Sequence, residues 1–315
     1  MSYVLVADVG GTKIAAARVH MSGKLSHQCV SPTPPGGGQA VVEAIAGALA
    51  RLPRAGVCAL GVDVPGLAYP DGGVWAPNIP GWERMPLSQM LGSRFGLPVV
   101  VESDRNAFVT GEAWRGVARN CHDVIFVAVG TGIGAGIISG GRLIRGHAEL
   151  AGCCGWLAVC ERFRREYKAV GCLESHAAGP GIAQKARRVY RETMEPRELA
   201  RRAREGDPTA RQLIAEAGRH LGRGLANLVS ILNPEMIVVG GGIAALGNLL
   251  LTPARETMAL WAQPLAGNQV RITRSRLGVR AGLLGAARLA FEAVMSDEPR
   301  RATGLSSRLP VIGEL

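Results

Sequence analysis

The sequence contains no stretch of 18 or more apolar residues. A helix that crosses a bilayer needs about that many, so no membrane span is expected. A leader is not expected either: Met1, Ser2 and Tyr3 run straight into a strand-like segment, with no charged and apolar targeting region. The cysteines do not form a paired set. There are seven, an odd number, and Cys153 and Cys154 are adjacent. This argues against a disulfide framework and fits a reducing cytoplasm. Acidic charge is scarce beside basic: 25 Asp and Glu stand against 36 Lys and Arg, a net charge of +11. Basic residues gather at Arg162, Arg164, Arg165 and Lys168, and again at Arg187, Arg188, Arg201, Arg202 and Arg204. Such runs serve as solvated helix faces or draw in phosphate-rich ligands. No nucleic-acid-binding motif accompanies them, so no nucleic acid partner is expected.

What is present is a glycine-rich chain able to pack. Apolar residues make up 47% and charged residues 19%, which supports a buried core. The length of 315 residues suffices for two domains. Several of the 43 glycines fall in short clusters, a pattern of loops that bring backbone close to a ligand. Residues 3–8 read as a buried strand, Gly10 and Gly11 as a tight turn, and residues 14–20 as a second strand. Helical periodicity covers about 38–52, strands fall near 57–64 and 98–102, and a helix runs from Ser103-Asp104 to Trp114. From residue 124 the plan repeats: a strand to 129, a glycine-rich turn, a strand at 136–138, helices over about 173–231, and a buried strand at 236–239. A helix over about 282–295 follows, and beyond Ser296 the chain is a polar tail. Two α/β halves of related design imply a ligand cleft between them.

Two motifs in that plan carry chemistry. Asp8-Val9-Gly10-Gly11-Thr12-Lys13 lies between two strands. Its glycines let backbone N–H groups approach a phosphate, and Asp8 can hold a Mg²⁺ ion through water. A Gly-Gly turn between strands is on its own an ordinary hairpin. The second motif, Gly130-Thr131-Gly132-Ile133-Gly134-Ala135-Gly136, has the same strand-turn-strand setting. It continues as a hairpin rather than opening a helix, which argues against a dinucleotide loop. Two phosphate hairpins facing across a cleft would grip the two ends of a triphosphate.

With these residues the chain resembles the ROK family of sugar kinases, in the actin/hexokinase-like ATPase superfamily. The resemblance covers nearly all of residues 3–295. Asp8 to Lys13 is similar to the family's first phosphate loop and Gly130 to Gly136 to its second. Gly61-Val62-Asp63-Val64-Pro65-Gly66, Pro77-Asn78-Ile79-Pro80-Gly81-Trp82 and Gly171-Cys172-Leu173-Glu174 are similar to segments near the sugar. Glu102-Ser103-Asp104-Arg105-Asn106-Ala107 is similar to the catalytic segment, Gly240-Gly241-Gly242 to the adenosine site, and Ala281 to Ala286 to the closing helix. The resemblance implies an α/β fold of two actin-like (ribonuclease H-like) domains around a central nucleotide and sugar cleft. Residues 1–115 would form the smaller domain, closed by a helix at 283–297. Residues 116–282 would form the larger, with 298–315 a tail. It also implies ATP and Mg²⁺, a sugar-like small molecule as partner, a homodimer, and Asp104 as the base that takes the proton of the attacking hydroxyl. A purely local reading makes Asp104 a helix N-cap, and both readings can hold together. Nucleotide contacts would come from Asp8, Gly10, Gly11, Thr12, Lys13, Gly130, Thr131, Gly132, Gly134 and Gly240–Gly242. Substrate contacts would come from Gly66, Asn78, Ser103, Asp104, Cys153, Trp156 and Glu174.

The departures from the family cluster in one region. Ser103 stands where the family has Asn before the catalytic Asp. Cys153 and Trp156 stand where it has the Glu and His that recognise the ring. The family's structural zinc site would use that His and cysteines at 165, 167 and 172; here 165 is Arg and 167 is Tyr. No structural zinc is therefore expected, since tetrahedral zinc needs four ligands. The alternative is a shifted set of Cys153, Cys154 and Cys160 with Cys172, and otherwise these cysteines are small buried hydrophobes. Lost hydrogen-bond partners at the ring point to an amino- or deoxy-sugar or a cyclitol rather than plain glucose. The competing expectations are an ordinary glucokinase, a non-catalytic sugar sensor, and a repressor. The repressor lacks room for a DNA-binding domain before residue 8. Polyphosphate as the phosphoryl donor is a further alternative.

Overall fold

The computed structural model describes residues 2–296. The expected tail at 298–315, and the last residue of the helix expected at 283–297, lie outside the described residues. The chain opens with three antiparallel strands, β1 (Tyr3–Val9), β2 (Lys13–His20) and β3 (Leu25–Pro32). Then come α1 (Gly38–Ala50), β4 (Val57–Val64), a small ribbon of β5 (Leu67–Ala68) and β6 (Val74–Trp75), α2 (Leu87–Phe95), β7 (Val99–Ser103) and α3 (Asp104–Arg115). The first sheet has the order β3-β2-β1-β4-β7, with β1, β4 and β7 parallel. Both faces of β4 are covered, so all eight of its residues are buried. A near-continuous apolar run is what a parallel strand covered on both faces requires.

The second half starts with β8 (Val124–Val129), β9 (Ile133–Ser139) and β10 (Arg142–Leu143). Its helices are α4 (Tyr167–Val170), α5 (Cys172–Ala177), α6 (Gly179–Tyr190), α7 (Pro196–Arg204) and α8 (Pro208–Leu232). They lead to β11 (Met236–Gly240), α9 (Asn248–Trp261), α10 (Pro264–Gln269), β12 (Arg271–Arg274) and α11 (Arg280–Met295). The second sheet, β10-β9-β8-β11-β12, repeats the plan of the first, with β8, β11 and β12 parallel. The longest helix, α8, has a defined start: Asp207 accepts from the N–H groups of Thr209 (2.8 Å) and Ala210 (3.0 Å), and Pro208 occupies the first helical position.

The chain returns at its end to the first half. α11 packs on β1, β2, β4 and β7 and against α3. That approach is close enough to require glycine: a Cβ on Gly61 would lie 2.3 Å from the Ala286 carbonyl oxygen, and one on Gly285 would lie 1.8 Å from that of Ala107. α3 in turn packs on β8 and β9, so it stands between the two sheets. Among the described residues, no helix is long and apolar enough to cross a membrane.

Several elements were not expected from the sequence: β3, the β5–β6 ribbon, α2, α9, α10 and β12. The N-cap reading of Asp104 is also corrected. Ser103 occupies the N-cap position and Asp104 is the first residue of α3, with an oxygen accepting the N–H of Arg105 at 2.7 Å. The proline-free strand β7 runs one residue further than expected and so moves the boundary.

Candidate active site

The residues singled out around the first phosphate loop meet where parallel strands end. Asp8 pairs with Asp63 across β1 and β4, and Asp63 pairs with Glu102 across β4 and β7. One rung of the sheet thus holds three carboxylates. The turn between β1 and β2 is a hairpin in which Gly10 N–H bonds the Lys13 carbonyl (2.9 Å). Thr33 braces it, donating from its hydroxyl to the Gly10 carbonyl (2.7 Å) and from its N–H to that of Thr12 (3.0 Å). Gly11, Thr12 and Lys13 are exposed and open to a ligand.

Burial and mutual repulsion dominate the electrostatics. Asp104 is pushed up to about 6, chiefly by burial, and the Asp8 carboxylate adds to the rise. The N–H and the charge of Arg105 offset part of it. Asp8 is raised by burial, with Lys13 acting the other way. Asp63 is fully buried and raised well above the usual carboxylate range, by burial first and then by Asp8 and Asp104. Asp8 and Asp63 lie close enough to share a proton, and among the described residues no other group hydrogen-bonds an Asp63 oxygen. Three mutually repelling carboxylates, Asp8, Asp63 and Asp104, are a donor set suited to a hard divalent cation, and Mg²⁺ would fit beside Asp8. Glu102 is neutralised differently: its Oε2 accepts from Arg145 Nη2 (2.8 Å) and Nε (3.0 Å), and its Oε1 from the N–H of Ser103 (3.1 Å) and Nδ2 of Asn106 (3.0 Å).

A cavity of about 690 Å³ runs from Asp8 to Gly240, Gly241 and Gly242 at the end of β11. Phe108, Phe126 and Val239 give it apolar wall, and Arg197, Arg255, Arg274 and Arg276 give it cations. Gly241 has φ +87°, and a Cβ there would lie 2.4 Å from the Val129 carbonyl oxygen, so this bend admits only glycine. The expected second phosphate loop, Gly130 to Gly136, comprises the turn Gly130–Gly132 between β8 and β9 and the start of β9, with Gly130 N–H bonding the Gly132 carbonyl (2.9 Å). Its outer residue Thr131 is exposed. The start of α6 meets the loop where Gly179 N–H bonds the Gly130 carbonyl (2.8 Å).

The residues expected at the substrate end are distributed unevenly. Glu174 Oε2 accepts the Ile133 N–H at 2.7 Å, which ties α5 to the turn between β8 and β9. Ser103 is 2% exposed and its hydroxyl has no partner. Gly66 lies under the β6 backbone, where a Cβ would come within 2.0 Å of the Trp75 carbonyl oxygen. Asn78 is exposed on the loop after β6, and Trp156 is 52% exposed. Cys153 faces a side chain not expected at the site, Arg105. One Arg105 nitrogen is 3.9 Å from Cys153 Sγ, another donates to the Glu149 carbonyl (3.0 Å), and Nε is buried without a partner. The shifted cysteine set also differs from expectation. Cys160 and Cys172 converge with His176, while Cys153 and Cys154 take no part in that group. Burial holds both His176 and the neighbouring His220 down to about 4.

A family model described as the ROK family matches residues 4–293. A glucokinase of Streptomyces coelicolor is 34% identical, over 93% of this chain and 98% of that protein. The structure of a ROK hexokinase from Thermus thermophilus superposes with a TM-score of 0.81 and 37% identity, covering 93% of this chain and 99% of that one. The structure of a ROK family glucokinase from Streptomyces griseus, in complex with glucose and AMPPNP, has a TM-score of 0.76 and 32% identity, with 92% and 99% covered.

Proposed function

The chain belongs to the ROK family and is a sugar kinase, and we propose that it moves the terminal phosphoryl group of ATP onto a primary, 6-type hydroxyl of a hexose-like ring. The observation that carries this reading is the position of Asp104: partly buried, at the first turn of α3, and near enough to Asp8, which lines the glycine-bounded cavity, to feel the charge of that carboxylate. The hydroxyl oxygen attacks the γ-phosphorus as its proton passes to the Asp104 carboxylate. The bond to the bridging oxygen breaks, and its electron pair leaves with ADP. Asp8 would hold a Mg²⁺ ion through water, and the ion would supply positive charge to neutralise the phosphates. The N–H groups of the two glycine loops orient the triphosphate, and the Gly240–Gly242 bend receives the adenosine.

The substrate reading rests on Arg105, Cys153 and Ser103. A thiol and an indole, Cys153 and Trp156, stand in place of a carboxylate and an imidazole, and the Arg105 guanidinium lies beside the thiol. A cation there repels a protonated amine, so a deoxy-sugar or cyclitol stands ahead of an amino sugar, and plain glucose is a poor substrate. An ordinary glucokinase is the second reading, favoured by the glucokinase relatives. The test is an ATP-consumption screen over hexoses, deoxy-sugars, amino sugars and cyclitols, with Asp104→Asn as the blank. Glucose turned over with kcat/KM of about 10⁴ M⁻¹s⁻¹ or more, and no better substrate, would establish the second reading. No ATP consumption with any acceptor would leave a non-catalytic sensor.

A further inference from the structure

Beside the nucleotide cavity lies a second one that the proposed transfer does not use. Its volume is about 620 Å³, a size that suits a small molecule. Ala215 of α8, Leu246, and Pro253 of α9 give it an apolar floor. Its charge comes from three arginines: Arg204 at the end of α7, Arg211 on α8 and Arg274 at the end of β12. No acidic residue lines it.

Other arginines of α7 are neutralised. Arg201 pairs with Glu198 (2.7 Å) and Glu205 (2.5 Å), and Arg202 with Glu192 (2.7 Å). Among the described residues, Arg204, Arg211 and Arg274 have no carboxylate partner. Three cations around one cavity repel one another, and a multiply charged anion relieves that repulsion. Arg211 is held ready for one: its Nε donates to the Ala203 carbonyl (2.7 Å), which fixes the plane of the guanidinium. The two cavities are neighbours, since Ala245 and Arg274 line both. One Arg274 nitrogen lies 3.6 Å from where a Cβ on Gly247 would be, so the guanidinium rests over that turn. Arg197 and Arg204 share one face of α7 and line one cavity each.

We propose that the second cavity binds a small organic phosphate ester, and that the bound ester weakens ATP binding through Arg274. Guanidinium meets phosphate with two parallel hydrogen bonds. A phosphate monoester carries about −1.5 to −2 charges at neutral pH, more than a carboxylate, which is what three unpaired cations call for. The apolar floor takes the carbon body of the ester. Arg274 cannot serve an anion in each cavity at once. With the ester seated, its charge is drawn away from the nucleotide cavity and ATP binds less tightly; ATP in turn weakens the ester by the same factor. The ester belongs to the chemical class of the transfer product, so a build-up of such esters slows their formation. Only this coupling rests on the kinase reading; the binding itself does not.

Binding is read first, without turnover. Glucose 6-phosphate and inorganic phosphate are titrated into the full chain by isothermal calorimetry at constant ionic strength, so that screening does not change. The ester can also enter the transfer cleft, so the decisive quantity is the binding lost in the double variant Arg204→Gln/Arg211→Gln, which leaves the residues of the nucleotide cavity in place. The unmodified chain should bind one more ester than the double variant does, or bind it at least about tenfold more tightly. In turnover assays, saturating ester should raise KM for ATP about fivefold or more in the unmodified chain and leave it unmoved in the double variant. If the double variant does not fold, Ala215→Glu, which adds a carboxylate to the cavity floor, carries the same expectations. Equal ester binding, or an equal rise in KM, in a folded variant would place the ester at the phosphate loops and overturn the proposal. Inorganic phosphate bound as tightly as the ester overturns the assignment to an ester. Ester binding that the variant loses, in a chain with no turnover on any acceptor, would sink the kinase reading and leave the site standing.

Discussion

Asp104 is partly buried beside Asp8, where its charge is unwelcome, and this sets both its chemistry and its pH dependence. A base must be ionised to accept a proton, and burial raises the pH at which Asp104 ionises to about 6. Below that value the protonated fraction grows, so kcat/KM should fall as pH drops through 6 and level off above it. A rate profile from pH 5 to 8 checks this, and a flat profile down to pH 5 would show that the group is not the base. Asp104→Asn should lower kcat by about a hundredfold to ten-thousandfold while leaving ATP affinity nearly unchanged. Isothermal calorimetry with a non-hydrolysable nucleotide separates the two effects. The sequence made Asp104, Asp8 and the glycine loops legible because each lies within a short local motif. Asp63 and Arg105 were not legible as parts of the site. Asp63 meets Asp8 only through the pairing of β1 with β4, 55 positions away, and Arg105 acquires its meaning only when Cys153 is folded against it.

At the scale of elements, the legible parts were those with a strong local signal. β1, β4, β8 and β11 are buried apolar runs whose C-terminal ends lie at or beside glycines, and α8 is a long periodic helix with a capped start. β3 carries Ser, His and Gln on an exposed sheet edge, so no alternation marks it. α9 contains Pro253, which reads as a break, yet the helix continues through it with Pro253 packed over Gly218. The contact between α11 and α3 depends on absent side chains, and this gives a prediction. Gly285→Ala places a methyl 1.8 Å from the Ala107 carbonyl oxygen, a backbone atom that cannot swing aside. The two helices must separate, and the variant should lose about 1–3 kcal/mol of stability. Urea denaturation measures it, and a midpoint equal to that of the unmodified chain would mean the helices adjust freely. Gly267→Ala is a useful comparison, since its Cβ would lie 3.3 Å from a single Ala262 methyl.

For the whole molecule, the arrangement of two similar sheets with α3 between them bears on how the cleft works. One phosphate loop leaves the first sheet and the other leaves the second, so in-line transfer requires both to converge on the same triphosphate. Links between the halves already lie close to the base. Arg145, after β10, makes its bidentate contact with the buried Glu102 on β7, and a Cβ on Gly136 of β9 would lie 2.0 Å from the Arg105 carbonyl oxygen on α3. These contacts leave little freedom beside Asp104, so movement is expected farther out, about the connections at 112–122 and near 282. Closure should then bring the Asp8 and Gly130 loops together while the base stays in place. Small-angle scattering should show the radius of gyration falling when substrate and a non-hydrolysable nucleotide are both present, and less with either alone. The expected change is small, so the comparison needs the same sample with and without ligand. Arg145→Gln should weaken the coupling: with the buried Glu102 left short of its cation, the free protein should be less stable. The same scattering signal at saturating ligand would persist, because the loops still grip the nucleotide. An unchanged radius under saturating ligands, with turnover intact, would mean that the cleft is already closed in the free protein.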